Sequence, residues 1–217
     1  MKKISKMQIA VWILAALPLL AVALCYSSLP AQVPTHWGLS GAVSYSDKWE
    51  LWFIAGLAPL FAVLFPVLPR IDPRRRSYEK FMGSYLVFQL AMMLLLSVVT
   101  GIVLVESYRP GVVDVGVVVC ALVSLLFIVL GNMMPKFRQN FFCGIKTPWT
   151  LSSEAVWVRT HRMGGRLLFA AGVAGLLGCL LPPIPRFAIL MGSLFAAMLV
   201  PSAMSYFWYQ KEQKNRP

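Results

Sequence analysis

Uncharged apolar stretches alternate along the chain with short polar connections, and each stretch is about as long as a membrane crossing. They cover roughly 9–26, 51–68, 81–105, 115–134, 167–181 and 187–209. A helix spanning a hydrocarbon core about 30 Å thick needs roughly 17–25 residues. The fifth stretch is short. It gains a turn backwards through residues 163–166, where Arg166 keeps its stem in apolar surroundings and its charge at the headgroups. Lipid offers the backbone no hydrogen bonds, so such stretches read as helices. The pattern predicts an all-α polytopic integral membrane protein with six transmembrane helices.

The polar connections set the orientation. With the amino end inside, the inner segments carry 17 of the 20 Lys and Arg, and the outer segments carry only Lys48, Arg109 and Arg186. Cationic connections are retained on the inner side of a bacterial or organellar bilayer, so both termini are expected there, in the cytoplasm if the membrane is a cell membrane. A Lys-rich start before an apolar run also resembles a signal peptide. The run is longer than an h-region of about 7–15 residues, however, and Leu24 beside Cys25 suits a lipoprotein cleavage box poorly. The first helix is expected to be retained.

Composition agrees with the class: of 217 residues, 59% are hydrophobic and 13% charged, unlike an ordinary soluble domain. The net charge of +12 is the sum of the inner connections rather than one basic domain, so no direct nucleic-acid binding is expected. Arg74, Arg75 and Arg76 suit anionic membrane lipids. Cys25, Cys120, Cys143 and Cys179 show no CxxC spacing, so neither a disulfide framework nor a metal site is indicated, and no cofactor is expected. Ala170, Ala174 and Gly178 recur every fourth position, as in a helix-contact stripe. No Asp, Glu, Lys or Arg falls well inside a span, since Glu106 and Asp114 sit at outer helix ends where headgroups and water can solvate them. Gln89 and Asn132 are the polar positions in or at the ends of spans, and each reads first as an interhelical hydrogen bond.

Two connections concentrate rarer residue types. In the outer segment 28–48, Pro30 and Pro34 prevent regular helix while Gly38 and Gly41 permit turns. This presents His36 and Trp37 at the surface, either for recognition or as part of the aromatic belt, to which Trp49 and Trp52 are assigned. The inner segment 131–166 is long enough to be ordered or functional. After Pro148 a short interfacial amphipathic helix is expected, capped by Ser152 or Ser153 with Glu154 in its first turn. Its two faces are Trp157, Thr160, His161 and Gly164 against Arg159, Arg162 and Arg166.

These residues carry a resemblance. The amino half, through Leu29-Pro30, Val33-Pro34-Thr35-His36-Trp37, Gly41, Lys48 and Leu68-Pro69-Arg70-Ile71-Asp72-Pro73, resembles the companion module of the SdpI family of bacterial multi-helix membrane proteins. The carboxyl half resembles that family through Gly131-Asn132, Pro135, Asn140, Gly144-Ile145, Thr147-Pro148-Trp149-Thr150-Leu151, Trp157, Thr160-His161 and Gly164. Lys146 replaces the usual Arg, which bears on any contact needing a planar fork. Modules at 1–80 and 81–217 follow. The resemblance implies a multi-pass protein of the bacterial cell (inner) membrane, immunity to a secreted, membrane-active toxic peptide and, in a well-known member, capture of a cytoplasmic transcriptional repressor.

On that footing the outer candidates for toxin contact are Pro34, His36, Trp37 and Gly41. The inner set is Asn132, Pro135, Asn140, Gly144, Lys146, Thr147, Pro148, Trp149, Thr150, Trp157, Thr160 and His161, as a functional motif or as an interhelical scaffold. A transporter or channel for an amphipathic compound or peptide is the alternative, which the uncharged spans disfavour. An enzyme is not expected: His36 and His161 lie on opposite faces, and neither HExxH nor GxSxG occurs. Oligomeric state is left open.

Overall fold

A computed structural model describes residues 5–215; Lys2, Lys3 and Arg216 of the inner charge count lie outside the described residues. The elements run α1 (Lys6–Cys25), β1 (Gln32–Trp37), β2 (Val43–Asp47), α2 (Leu51–Ile71), a single turn α3 (Arg76–Glu79), α4 (Met82–Tyr108), α5 (Val115–Met133), the short α6 (Pro148–Ser152), α7 (Glu154–Gly178) and α8 (Pro183–Lys214). Among the described residues five helices, α1, α2, α4, α5 and α8, are long and apolar enough to cross a membrane. Their outward residues suit lipid: Leu24 is 82% exposed, Phe53 68% and Leu199 65%, an apolar surface larger than soluble proteins show to water.

The remaining stretch departs from expectation. The predicted interfacial helix and the short fifth span are one continuous helix, α7. Ser153, not Ser152, caps it by accepting from the Val156 N–H at 3.2 Å. It runs the full height of the bundle, from Ser153 at the inner end to Cys179, whose sulfur meets the Val117 carbonyl at the outer end. Because α7 is packed between α5 and α8, it needs little lipid-facing apolar surface, and glycines on its inward face replace large side chains. The face carrying Trp157, Thr160, His161 and Gly164 is buried in protein rather than laid on the interface.

The close contact with α5 uses Gly165, Gly172 and Gly175, not the stripe of Ala170, Ala174 and Gly178. Ala170 is exposed, whereas a β-carbon on Gly172 would stand 2.5 Å from the Ser124 carbonyl and one on Gly165 would stand 2.6 Å from the Gly131 carbonyl. Small residues there let the backbones touch.

On the other side, α1, α2 and α4 pack together around Val11, Ala15, Ala58, Ala62 and Phe65. Prolines interrupt α1 and α2, and at Pro18 and Pro69 a side chain takes up the carbonyl released. Pro69 has no N–H for the Phe65 carbonyl, which accepts instead from the Tyr85 hydroxyl at 2.7 Å. Pro18 likewise leaves the Leu14 carbonyl free, and the Ser97 hydroxyl lies 3.0 Å from it. Such rescue makes proline tolerable in lipid.

The outer segment folds as an antiparallel hairpin with Gln32 opposite Asp47 and Trp37 opposite Val43, and with an irregularity between Pro34 and His36. Gly41 closes its turn at φ 84°, a conformation glycine adopts without cost.

Candidate functional site

The hairpin overhangs a cleft of about 850 Å³ at the outer end of the bundle. Its walls are apolar: Val99, Ile102 and Val103 from α4, Val119 and Val123 from α5, and Leu190 and Met191 from α8. His36, Trp37 and Gly41 line its rim, so three of the four outer candidates meet there; Pro34 is buried behind the strand and lies outside the lining. His36 is exposed and Trp37 half-buried.

Of the two acids expected to be solvated at the outer helix ends, Asp114 is exposed as expected, whereas Glu106 is buried in the lining of this cleft. Glu106 is 3% exposed, and its two carboxylate oxygens accept from the Gly111 and Val113 N–H groups, both at 2.8 Å. Asp114 caps α5 by accepting from the Val117 N–H at 2.9 Å, and it stands 3.5 Å from the Arg186 guanidinium. Arg186 also donates through Nε and Nη2 to the Leu181 carbonyl. The signal available in the sequence was an acid one turn before Pro110-Gly111, where a loop must fold back over a helix end.

At the inner end, Asn140, Thr147, Thr150, Trp157 and His161 of the predicted set make a cluster of buried and half-buried hydrogen bonds. Asn140 is fully buried. Its amide donates to the Arg138 and Cys143 carbonyls at 2.8 and 3.1 Å, and its oxygen accepts from the Phe142 and Cys143 N–H groups at 2.9 and 2.6 Å. The Tyr78 hydroxyl, shared between Asn140 and Asp72, joins this turn to the connection after α2. Asp72 also accepts from the Arg74 and Phe141 N–H groups. Neither Asp72 nor Tyr78 was singled out as a site residue from sequence. Burial pushes the Tyr78 phenol upward and the Cys143 thiol up to about 11, so both stay protonated at neutral pH.

Thr147 and Thr150 form a capping box that starts α6 at Pro148. The Trp149 ring meets Tyr206 of α8, with centroids 5.0 Å apart. Trp157 donates to the Phe137 carbonyl at 2.9 Å and stacks on His161 at 4.0 Å. His161 accepts from the Ile145 N–H at 3.0 Å through Nε2, while Nδ1 lies 2.8 Å from the Trp157 carbonyl. That pairing requires the neutral tautomer protonated at Nδ1. Gly144, at φ 103°, brings the loop against this ring: a β-carbon there would collide with His161 Nε2. Pro135 packs on Gly165, and Thr160 is wholly buried. Asn132 and Lys146 are exposed; Asn132 borders a hollow of about 370 Å³ shared with Pro135 and Arg166.

Residues 136–205, from the start of this network into α8, match the SdpI/YfhL protein family. The resemblance to the SdpI family therefore stands. Residues 13–58, from α1 through the hairpin into α2, match a domain of unknown function, DUF1648. Over 205 residues, 94% of this chain and 96% of the relative, the sequence is 25% identical to "Immunity protein SdpI" of Bacillus subtilis (strain 168). No solved structure matches the chain. The SdpI-family match thus contains most of the inner network, while the DUF1648 match contains the hairpin that roofs the cleft.

Proposed function

We propose that this multi-pass membrane protein confers immunity to a membrane-active toxic peptide, which it meets at the outer cleft. The chain lies in the bacterial cell membrane with six crossings, α7 being the sixth, and both ends in the cytoplasm. The observation that carries the reading is the cleft itself: an apolar hollow of about 850 Å³, a size typical of ligand sites, open where a secreted peptide arrives and rimmed by His36 and Trp37. Similarity to an immunity protein along nearly the whole chain supports the same role, which is a binding role rather than an enzymatic one.

Within this reading the buried inner residues Asn140, Thr150, Trp157, Thr160 and His161 act as a scaffold. They order a loop whose exposed Phe141, Phe142 and Lys146 face the cytoplasm, where a repressor would dock. The test is survival of a toxin-sensitive bacterium expressing the protein and challenged with a membrane-active peptide toxin, at matched membrane levels. Wild type is expected to protect and His36→Ala to protect less. Absence of protection by wild type against toxins that the host itself exports would overturn the reading.

A further inference from the structure

The cleft's chemistry narrows what it accepts. Its walls are aliphatic, and the acidic and basic residues lining it are Glu106, Asp114 and Arg186, with His36 at the rim; Arg109, on the same connection, is exposed and lies outside the lining. Arg186 is balanced: two of its nitrogens hold the Leu181 carbonyl and the third faces Asp114, so this pair adds no net charge and Glu106 is the unmatched one. The helix amino ends that point here offer little to an anion. Asp114 caps α5, while α8 opens with Pro182, Pro183 and Pro185, which have no N–H, and its Arg186 N–H is already bound to the Pro182 carbonyl.

Glu106 differs. Each of its oxygens takes one N–H, which leaves a carboxylate oxygen its remaining lone-pair sites. A carboxylate 3% exposed beside apolar walls is costly unless a positive group completes it.

We infer that the outer cleft selects a cationic amphiphilic segment, with the apolar part along Ile102, Val119 and Met191 and an ammonium group on Glu106. The inference deepens the proposed function and rests on it for the segment's source, the tip of a toxic peptide. Glu106 then determines specificity rather than merely holding the 108–113 connection.

The probe is an undecyl chain with a dansyl group at one end and an ammonium, a hydroxyl or a carboxylate at the other, titrated into the full-length protein in neutral detergent. The ammonium form is expected to bind about tenfold more tightly than the hydroxyl form, since one charge-assisted bond is worth about one decade in affinity, and the carboxylate form most weakly. Glu106→Gln keeps one acceptor for the connection but turns an NH2 toward the second N–H, so its readout is the ratio of the three affinities within that variant, which should fall to near one between the ammonium and hydroxyl forms. Val119→Trp should weaken all three by filling the cleft.

Equal binding of the three probes, or a preference that persists in Glu106→Gln, overturns the inference; so does binding indifferent to Val119→Trp, which would mean partition into the detergent. Protection in the survival assay without ammonium preference refutes this inference and leaves immunity standing, whereas ammonium preference without protection does the reverse.

Discussion

Replacing Asn140 by Ala tests whether the inner motif is a scaffold. The substitution removes an amide that gives two hydrogen bonds and accepts three, all in a fully buried position. It strands the N–H groups of Phe142 and Cys143 and the carbonyls of Arg138 and Cys143, while the Tyr78 hydroxyl keeps Asp72. Each buried polar group left unpaired costs about 1–3 kcal/mol, and water reaching the loop from the inner surface restores part of it. A net loss of about 3–5 kcal/mol follows, or about 10 °C in thermal midpoint for a chain of this length. Tryptophan fluorescence during heating of the purified protein measures that shift, and limited trypsin digestion reports whether Arg138 and Lys146, exposed at either side of the turn, become cut first. Asn140→Asp should destabilise comparably, because it sets an oxygen against two carbonyls. A midpoint within about 2 °C of wild type for Asn140→Ala, with an unchanged digestion pattern, would refute the reasoning: the network would then be a consequence of the fold and not a support.

Two further outcomes follow from the same structure. Gly172→Ala should lower stability by about 1–3 kcal/mol, as overpacking does, because its β-carbon meets the Ser124 backbone; Gly192→Ala, with nothing near it, serves as the control in the same melt. For topology, single cysteines at Ser44, Lys146 and Lys214, in a background freed of the four native ones, should react with an impermeant maleimide from outside only at Ser44. Outside labelling at Lys214 would mean that α7 does not cross.

Most of the helical framework was legible because a crossing in lipid demands a long uncharged apolar run, and α1, α2, α4, α5 and α8 supply one. The helix α7 escaped that rule for a physical reason. Neighbours cover it, so glycines at 165, 172 and 175 do the work that leucines do elsewhere, and Arg159, Arg162 and Arg166 break its hydropathy. The hairpin was hidden by Pro30 and Pro34, read as breakers, although Val33, Thr35 and Val43 favour strand. At the inner motif, residue types announced order but not partners: that Gly144 must adopt a positive φ so that Ile145 meets His161 is a fact of three dimensions. The cleft was invisible for the same reason, since Glu106, Val119 and Arg186 lie on three different helices.

The two helix groups are joined unequally. At the inner end they are tied by Asp72 to Phe141, by Tyr78 to Asn140, by Arg74 to the Leu151 carbonyl at 3.2 Å and by the Phe81 and Phe137 rings at 5.3 Å. At the outer end the cleft itself separates α4 from α5 and α8, bridged by the short connection that Glu106 holds. The polar ties between the two groups are thus gathered at the inner end, whereas the cleft walls at the outer end are aliphatic. The exposed Phe141 and Phe142 sit among these ties, their N–H groups held by Asp72 and Asn140, so removing either acceptor should loosen this loop and leave the cleft lining intact.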